Sequence, residues 1–126
     1  MIWAGFGFRH GATVDSLCDA LDRARAGRAV GGIATLADKA GTPAFRALAG
    51  ARALPVLAVS PDAAEATKTQ TNSARVMAER QTGSVAEATA LCAAGPGATL
   101  VQARVVSADR MATCALAEAP SERNKE

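Results

Sequence analysis

The chain has 126 residues, enough for a single domain with one closed core, and 32 of them are alanine. Its formal net charge is +2 with acidic and basic residues interspersed, which excludes the dense basic face of nonspecific nucleic-acid binding. The aromatics are Trp3, Phe6, Phe8 and Phe45 with no tyrosine, too few for a base-stacking platform.

Alanine buries little area, so the larger side chains must seed the packing. Ile2–Phe8 is short, apolar and glycine-interrupted, as in a buried strand running into a turn, GFGFRHG. Phe6 and Phe8 share one face of that strand and are read as core. Thr13 is a plausible N-cap. Val14, Leu17, Cys18, Leu21 and Ala24 then recur at helical spacing, with Asp15 in the first turn and Gly27 as the stop. A second strand is expected over 30–36. Asp38-Lys39-Ala40-Gly41 follows, then Thr42-Pro43, an N-cap with proline at the first helical position. Phe45 and Leu48 give this helix its inward stripe, and Gly50 is expected to end it.

LPVLAV, 54–59, reads as a central strand, and Ser60-Pro61-Asp62 repeats the cap-and-proline device. A polar loop is predicted over 67–72, then helices over 73–80 and 84–94 broken at Gly83. Ser84 and Glu87 form a capping box. Gly95-Pro96-Gly97 ends the helical region. Alternating segments at 98–106 and 110–117 flank Ser107-Ala108-Asp109 as a hairpin. The fold class is therefore α/β: a single domain with a mixed β-sheet, helices on both faces and a C-terminal β-hairpin. The domain spans 1–118, and 119–126 forms a polar, disordered tail.

Cys18, Cys92 and Cys114 are far apart, lack a CxxC pairing and share the chain with one histidine, His10. Buried free thiols are expected rather than a zinc site, and no metal or cofactor is anticipated. No apolar run reaches the ~18 residues of a membrane span, and the N-terminus reads directly into a strand. A reduced, cytoplasmic protein is expected, without membrane or nucleic-acid partners.

The glycine loop decides the functional reading. Gly5, Gly7 and Gly11 give GxGxxxG, not the dinucleotide GxGxxG. No ribose-binding acid stands at the end of the second strand, Asp38 being the nearest, and no GxxxxGK[ST] occurs. The glycines serve either a tight turn or an anion site in which Arg9 presents its planar fork to a carboxylate or phosphate. Gly5, Gly7, Arg9 and Gly11 are together expected to wall the principal cleft.

In order, GFGFRHGA, IATLADKAGTPAF, LPVLAVS, TNS, GSVAEATAL and a closing hairpin resemble the family of CobE and the C-terminal domain of CbiG, over nearly the whole chain. The resemblance implies an α/β fold acting in corrin-ring construction for vitamin B12. CbiG proteins open a lactone on a cobalt-precorrin and release acetaldehyde, but carry N-terminal sequence this chain lacks. A stand-alone domain is similar to CobE instead. His10 stands where the family commonly has another basic or variable residue, so no catalytic role is carried onto it.

Precorrins are flat macrocycles rimmed by carboxylates, so their site needs cations and hydroxyl or backbone donors around an apolar floor. Arg9 and Lys39 would supply charge, Thr71 and Ser73 hydroxyls, and Ser84 with Glu87 a helix N-terminus. The expected function is binding of a precorrin-type tetrapyrrole intermediate, with other corrin-pathway enzymes as candidate partners. The alternatives are a precorrin hydrolase related to CbiG and a nucleotide-binding α/β domain. No triad or paired carboxylates stand out, so catalytic residues are unassigned.

Overall fold

A computed structural model of the chain describes residues 1–64, 84–95 and 97–119. Its elements are β1 (Ile2–Phe8), α1 (Val14–Arg25), β2 (Gly32–Leu36), α2 (Ala37–Ala40), α3 (Pro43–Arg52), β3 (Val56–Val59), α4 (Ser84–Ala94), β4 (Thr99–Val106) and β5 (Ala112–Glu118). Residues 61–64 are also helical, and the Ser60 hydroxyl accepts the Ala63 N–H (3.0 Å) as the expected cap. The sheet order is β3-β2-β1-β5-β4. The β1–β2 and β2–β3 pairs are parallel, whereas β5 lies antiparallel to both β1 and β4. The mixed sheet and its closing hairpin are those read from the sequence.

β1 is the central strand, and its alternation builds both layers. Ala4 and Phe6 point to one face, where they meet Leu17 and Leu21 of α1, Phe45 and Leu48 of α3, and Ile33 and Leu116 of the neighbouring strands. Trp3 lies on the other face against α4, among Ala34, Val59, Ala88, Ala90, Leu91 and Ala117. Gly5 faces α4 as well. A Cβ there would overlap the Ala86 carbonyl and the Ala90 amide, so the helix rests directly on the β1 backbone. Ala86, Ala90 and Ala94, one turn apart and buried, keep that approach close. Alanine thus serves tight helix-to-sheet contact on this face, and the large side chains fill the other.

The structure corrects several expectations. The segment 54–59 forms an edge strand, not a central one: only Val56–Val59 pair, on one side, and Val56 and Leu57 are 41% and 38% exposed. Pro55 has no N–H for the ladder, and only its carbonyl takes part, accepting from Ile33 (2.9 Å). β2 begins at Gly32, later than expected. Gly50 does not stop α3, which continues to Arg52 and closes on Ala53 in the left-handed conformation (φ 55°). Thr42 holds the N-cap position without capping, because its hydroxyl donates to the Lys39 carbonyl (2.8 Å).

Thr13 caps α1 as predicted: its hydroxyl accepts the Ser16 N–H, and the Ser16 hydroxyl accepts the Thr13 N–H. The three thiols are free, but only Cys114 is buried, and burial pushes its pKa up. Cys18 and Cys92 are half-buried at the margins of the core. The predicted loop at 67–72 and helix at 73–80 lie outside the described residues, as do 120–126 of the expected tail. Ala119 donates to the Met1 carbonyl (3.0 Å). No helix among the described residues is long and apolar enough to cross a membrane.

Candidate functional site

β1, β2 and β3 run parallel, so the loops that leave β1 and β2 emerge at the same edge of the sheet, where α/β proteins gather ligands. Between them opens a cleft of about 450 Å³. One wall is the turn Arg9-His10-Gly11-Ala12, and the other is Asp38, Lys39 and Thr42 through Ala44. Phe8 lies at its base, stacked on Phe45 with ring centroids 5.9 Å apart, and Phe45 meets Phe6 edge-on at 5.6 Å. The aromatic trio anchors the cleft floor in the core.

The β1 turn is closed by a hydrogen bond from the Ala12 N–H to the Arg9 carbonyl (3.0 Å). Its third residue, Gly11, has φ 96°, the backbone that a type II turn reserves for glycine. Arg9 is held by its backbone, whose N–H donates to the Met111 carbonyl (2.9 Å). Its guanidinium is exposed and makes no hydrogen bond or ion pair with the described residues. Lys39 is differently placed. Its ammonium donates to the Phe8 carbonyl (2.8 Å) and lies 5.1 Å from the centre of the Phe8 ring. One of its three donors is spent there, leaving two for a ligand.

Among the described residues the cleft therefore presents two cations, one imidazole and one carboxylate, Asp38, around an apolar floor. It can pair with an anion through one free arginine fork and one fixed ammonium. No group of three or more metal-ligating side chains occurs among the described residues.

Of the residues singled out in sequence, the structure brings Arg9, Gly11 and Lys39 together. The expectation that Gly5 and Gly7 share the cleft wall is corrected: both face α4 from within β1. A Cβ on Gly7 would lie 3.1 Å from the Thr113 hydroxyl and 3.5 Å from Val85. The Glu87 carboxylate accepts the Arg104 N–H (3.1 Å), tying α4 to β4 rather than lining the cleft. Ser84 opens α4, but its side chain lies outside the described residues, as do Thr71 and Ser73 entirely. Sequence reasoning missed Pro43 and Ala44 as cleft lining and considered Asp38 only as a ribose ligand. Their position in ADKAGTPA, directly after the second strand, was the available signal.

The family described as cobalamin synthesis G C-terminus matches residues 2–117. No curated protein matches the chain. Among solved structures, the cobalamin biosynthesis protein chiG from Agrobacterium tumefaciens is 32% identical, with a TM-score of 0.76 over 96% of this chain and 100% of that one. CobE, a protein from the cobalamin (vitamin B12) biosynthetic pathway, is 30% identical, with a TM-score of 0.78 over 98% of this chain and 93% of that one. A cobalamin biosynthesis protein G homolog from Sulfolobus solfataricus shares the fold at 17% identity, with a TM-score of 0.67 over 96% of this chain and 37% of its own length.

Proposed function

The chain belongs to the cobalamin synthesis G C-terminus family, and from that premise we propose that its cleft binds a precorrin-type tetrapyrrole by the carboxylates on the macrocycle's rim. The observation that carries the reading is the pairing of Arg9 and Lys39 across an apolar floor at the carboxyl edge of the parallel strands. A flat ring edge lies against Phe8, Pro43 and Ala44. An acetate or propionate arm reaches the Arg9 fork, and a neighbouring arm takes the remaining donors of Lys39. Asp38 sits beside Lys39 and repels a carboxylate placed out of register, which sets the orientation of the ring. The protein holds an intermediate of the pathway and passes it on.

The test is a fluorescence titration with uroporphyrin, a polycarboxylate macrocycle, against mesoporphyrin, a dicarboxylate of similar ring size. Uroporphyrin should bind more tightly. Losing a charge-assisted hydrogen bond costs about 1.5–3 kcal/mol, so Arg9→Ala should weaken binding roughly 10- to 100-fold. Arg9→Lys should recover only part, because the bidentate fork is gone. Equal affinity for both porphyrins, or for all three proteins, would sink the proposal.

A further inference from the structure

We infer that Asp109, in the β4–β5 turn outside the cleft, is a positioning residue that holds the Arg9 turn ready for an anion; its functional consequence rests on the reading of the cleft given above. One carboxylate reaches both ends of that turn. Asp109 Oδ1 accepts the Met111 N–H (3.1 Å), and the Met111 carbonyl in turn accepts the Arg9 N–H (2.9 Å). Asp109 Oδ2 accepts the Ser16 hydroxyl (2.6 Å), and Ser16 Oγ in turn accepts the Thr13 N–H (3.3 Å). Arg9 is where β1 ends and Thr13 is where α1 begins, so both exits of the turn are pinned through a single intermediary each.

The anchor is itself well fixed. Asp109 Oδ1 also accepts the Ser107 hydroxyl (2.5 Å), and Ser107 and Ser16 are each only 2% exposed. Ser107 Oγ accepts the Ala112 N–H (3.1 Å), which joins the network to the first residue of β5. An ionised carboxylate offers about four acceptor sites on its two oxygens, and three of them are taken here. The hydrogen bonds from Ser107, Ser16 and Met111 accordingly hold the Asp109 carboxyl below the ordinary aspartate range.

The consequence for binding follows from what Arg9 lacks. Among the described residues no side chain orients its guanidinium, and what holds Arg9 is its backbone N–H on the Met111 carbonyl. A loosened turn would have to be ordered on binding, and that ordering would be subtracted from affinity.

Two measurements test the inference. The first is amide hydrogen exchange followed by NMR, which needs no ligand. Asp109→Ala should speed exchange at Arg9, Ala12 and Thr13 by roughly tenfold or more, while amides of β1 and of β5 beyond Ala112 keep wild-type rates and certify the fold. Ser16→Ala cuts only one branch, so it should release Thr13 and leave Arg9 protected; it also serves as the second variant if Asp109→Ala loses the sheet amides. Asp109→Asn, with one acceptor oxygen left, should fall between.

The second measurement is a uroporphyrin double-mutant cycle. Asp109→Ala should weaken binding several-fold in the wild-type background and leave it unchanged in the Arg9→Ala background. Unaltered exchange at Arg9, or losses that multiply independently of Arg9, would overturn the inference. A wild type that fails to bind uroporphyrin overturns the carboxylate reading of the cleft, while the exchange result still decides the anchor.

Discussion

Gly11 shows how one residue's backbone serves the site. At φ 96° an L side chain is strained, yet a Cβ there would meet only the Met111 methyl, at an ordinary 3.7 Å. The cost of Gly11→Ala is therefore conformational and not steric, about 1–2 kcal/mol. Urea denaturation should show that loss with an unchanged m-value, and an alanine variant as stable as wild type would mean that the turn adopts another conformation. The place of Arg9 and Lys39 at the cleft was legible from sequence because both lie shortly after a parallel strand, Arg9 next to β1 and Lys39 in α2 beyond β2. Gly5 and Gly7 were misplaced because a GxG pattern was read as loop. The alternation GFGF already held the correct answer: with Phe6 and Phe8 on one face of a strand, the intervening glycines must occupy the other. Asp109 was not legible as a site residue. Its bonds with Ser107 and Met111 are local to the hairpin turn, but Ser16 reaches it only after the hairpin has folded back beside α1, and no local pattern encodes that meeting.

Among the elements, α4 and β1 make the most demanding contact, since Gly5 lies under the helix backbone itself. Backbone atoms cannot rotate away, so Gly5→Ala must displace the whole helix and should cost about 3 kcal/mol, the upper end for overpacking. Gly7→Ala meets mainly the Thr113 hydroxyl, a side-chain atom that can swing aside, although it now donates to the Gly7 carbonyl (3.1 Å). Guanidinium denaturation should therefore rank Gly5→Ala as the more damaging variant; the reverse order would show that α4 does not rest on Gly5. Helices α1, α3 and α4 were all readable from caps, prolines and apolar spacing. The place of β3 was not, because a short apolar run looks alike at the centre and at the edge of a parallel sheet. Pro55 was the informative residue, and edge placement accommodates it better than the centre does. The end of α3 escaped for another reason: an alanine, Ala53, adopts the left-handed C-cap conformation that glycine usually takes, whereas α1 stops just before Gly27 (φ 90°), as expected.

At the scale of the whole molecule the two faces of the sheet are held by different forces, and that difference makes one face sensitive to acid. The α4 face is apolar and alanine-packed. The α1 face adds a belt of aspartates: Asp22 makes a two-pronged pair with Arg52 of α3, both contacts at 3.0 Å, and a further bond to Arg25. Asp19 accepts the Ala108 N–H (2.7 Å) of the hairpin turn and pairs with Arg23, while Asp109 binds Ser16. All three carboxyls are held below their ordinary value of 3.8: Asp22 chiefly by Arg52, Asp19 chiefly by the Ala108 amide, and Asp109 chiefly by Ser107. A carboxyl whose value is lower in the folded chain adds stability that is complete above the unfolded value and fades as pH falls through the folded one. Thermal stability should thus hold near neutrality and decline below about pH 4, with α1 and the hairpin turn loosening first. The Asp19 and Asp22 pairs stand largely in solvent, so any one replacement in the belt should lower the melting temperature less than the combined change does. The combined Asp19→Asn, Asp22→Asn and Asp109→Asn protein should melt lower than wild type at pH 7, yet lose less on moving to pH 3, because it has fewer shifted carboxylates left to protonate. Calorimetry at the two pH values decides the matter: parallel losses in both proteins would place the acid-sensitive carboxylates elsewhere in the chain.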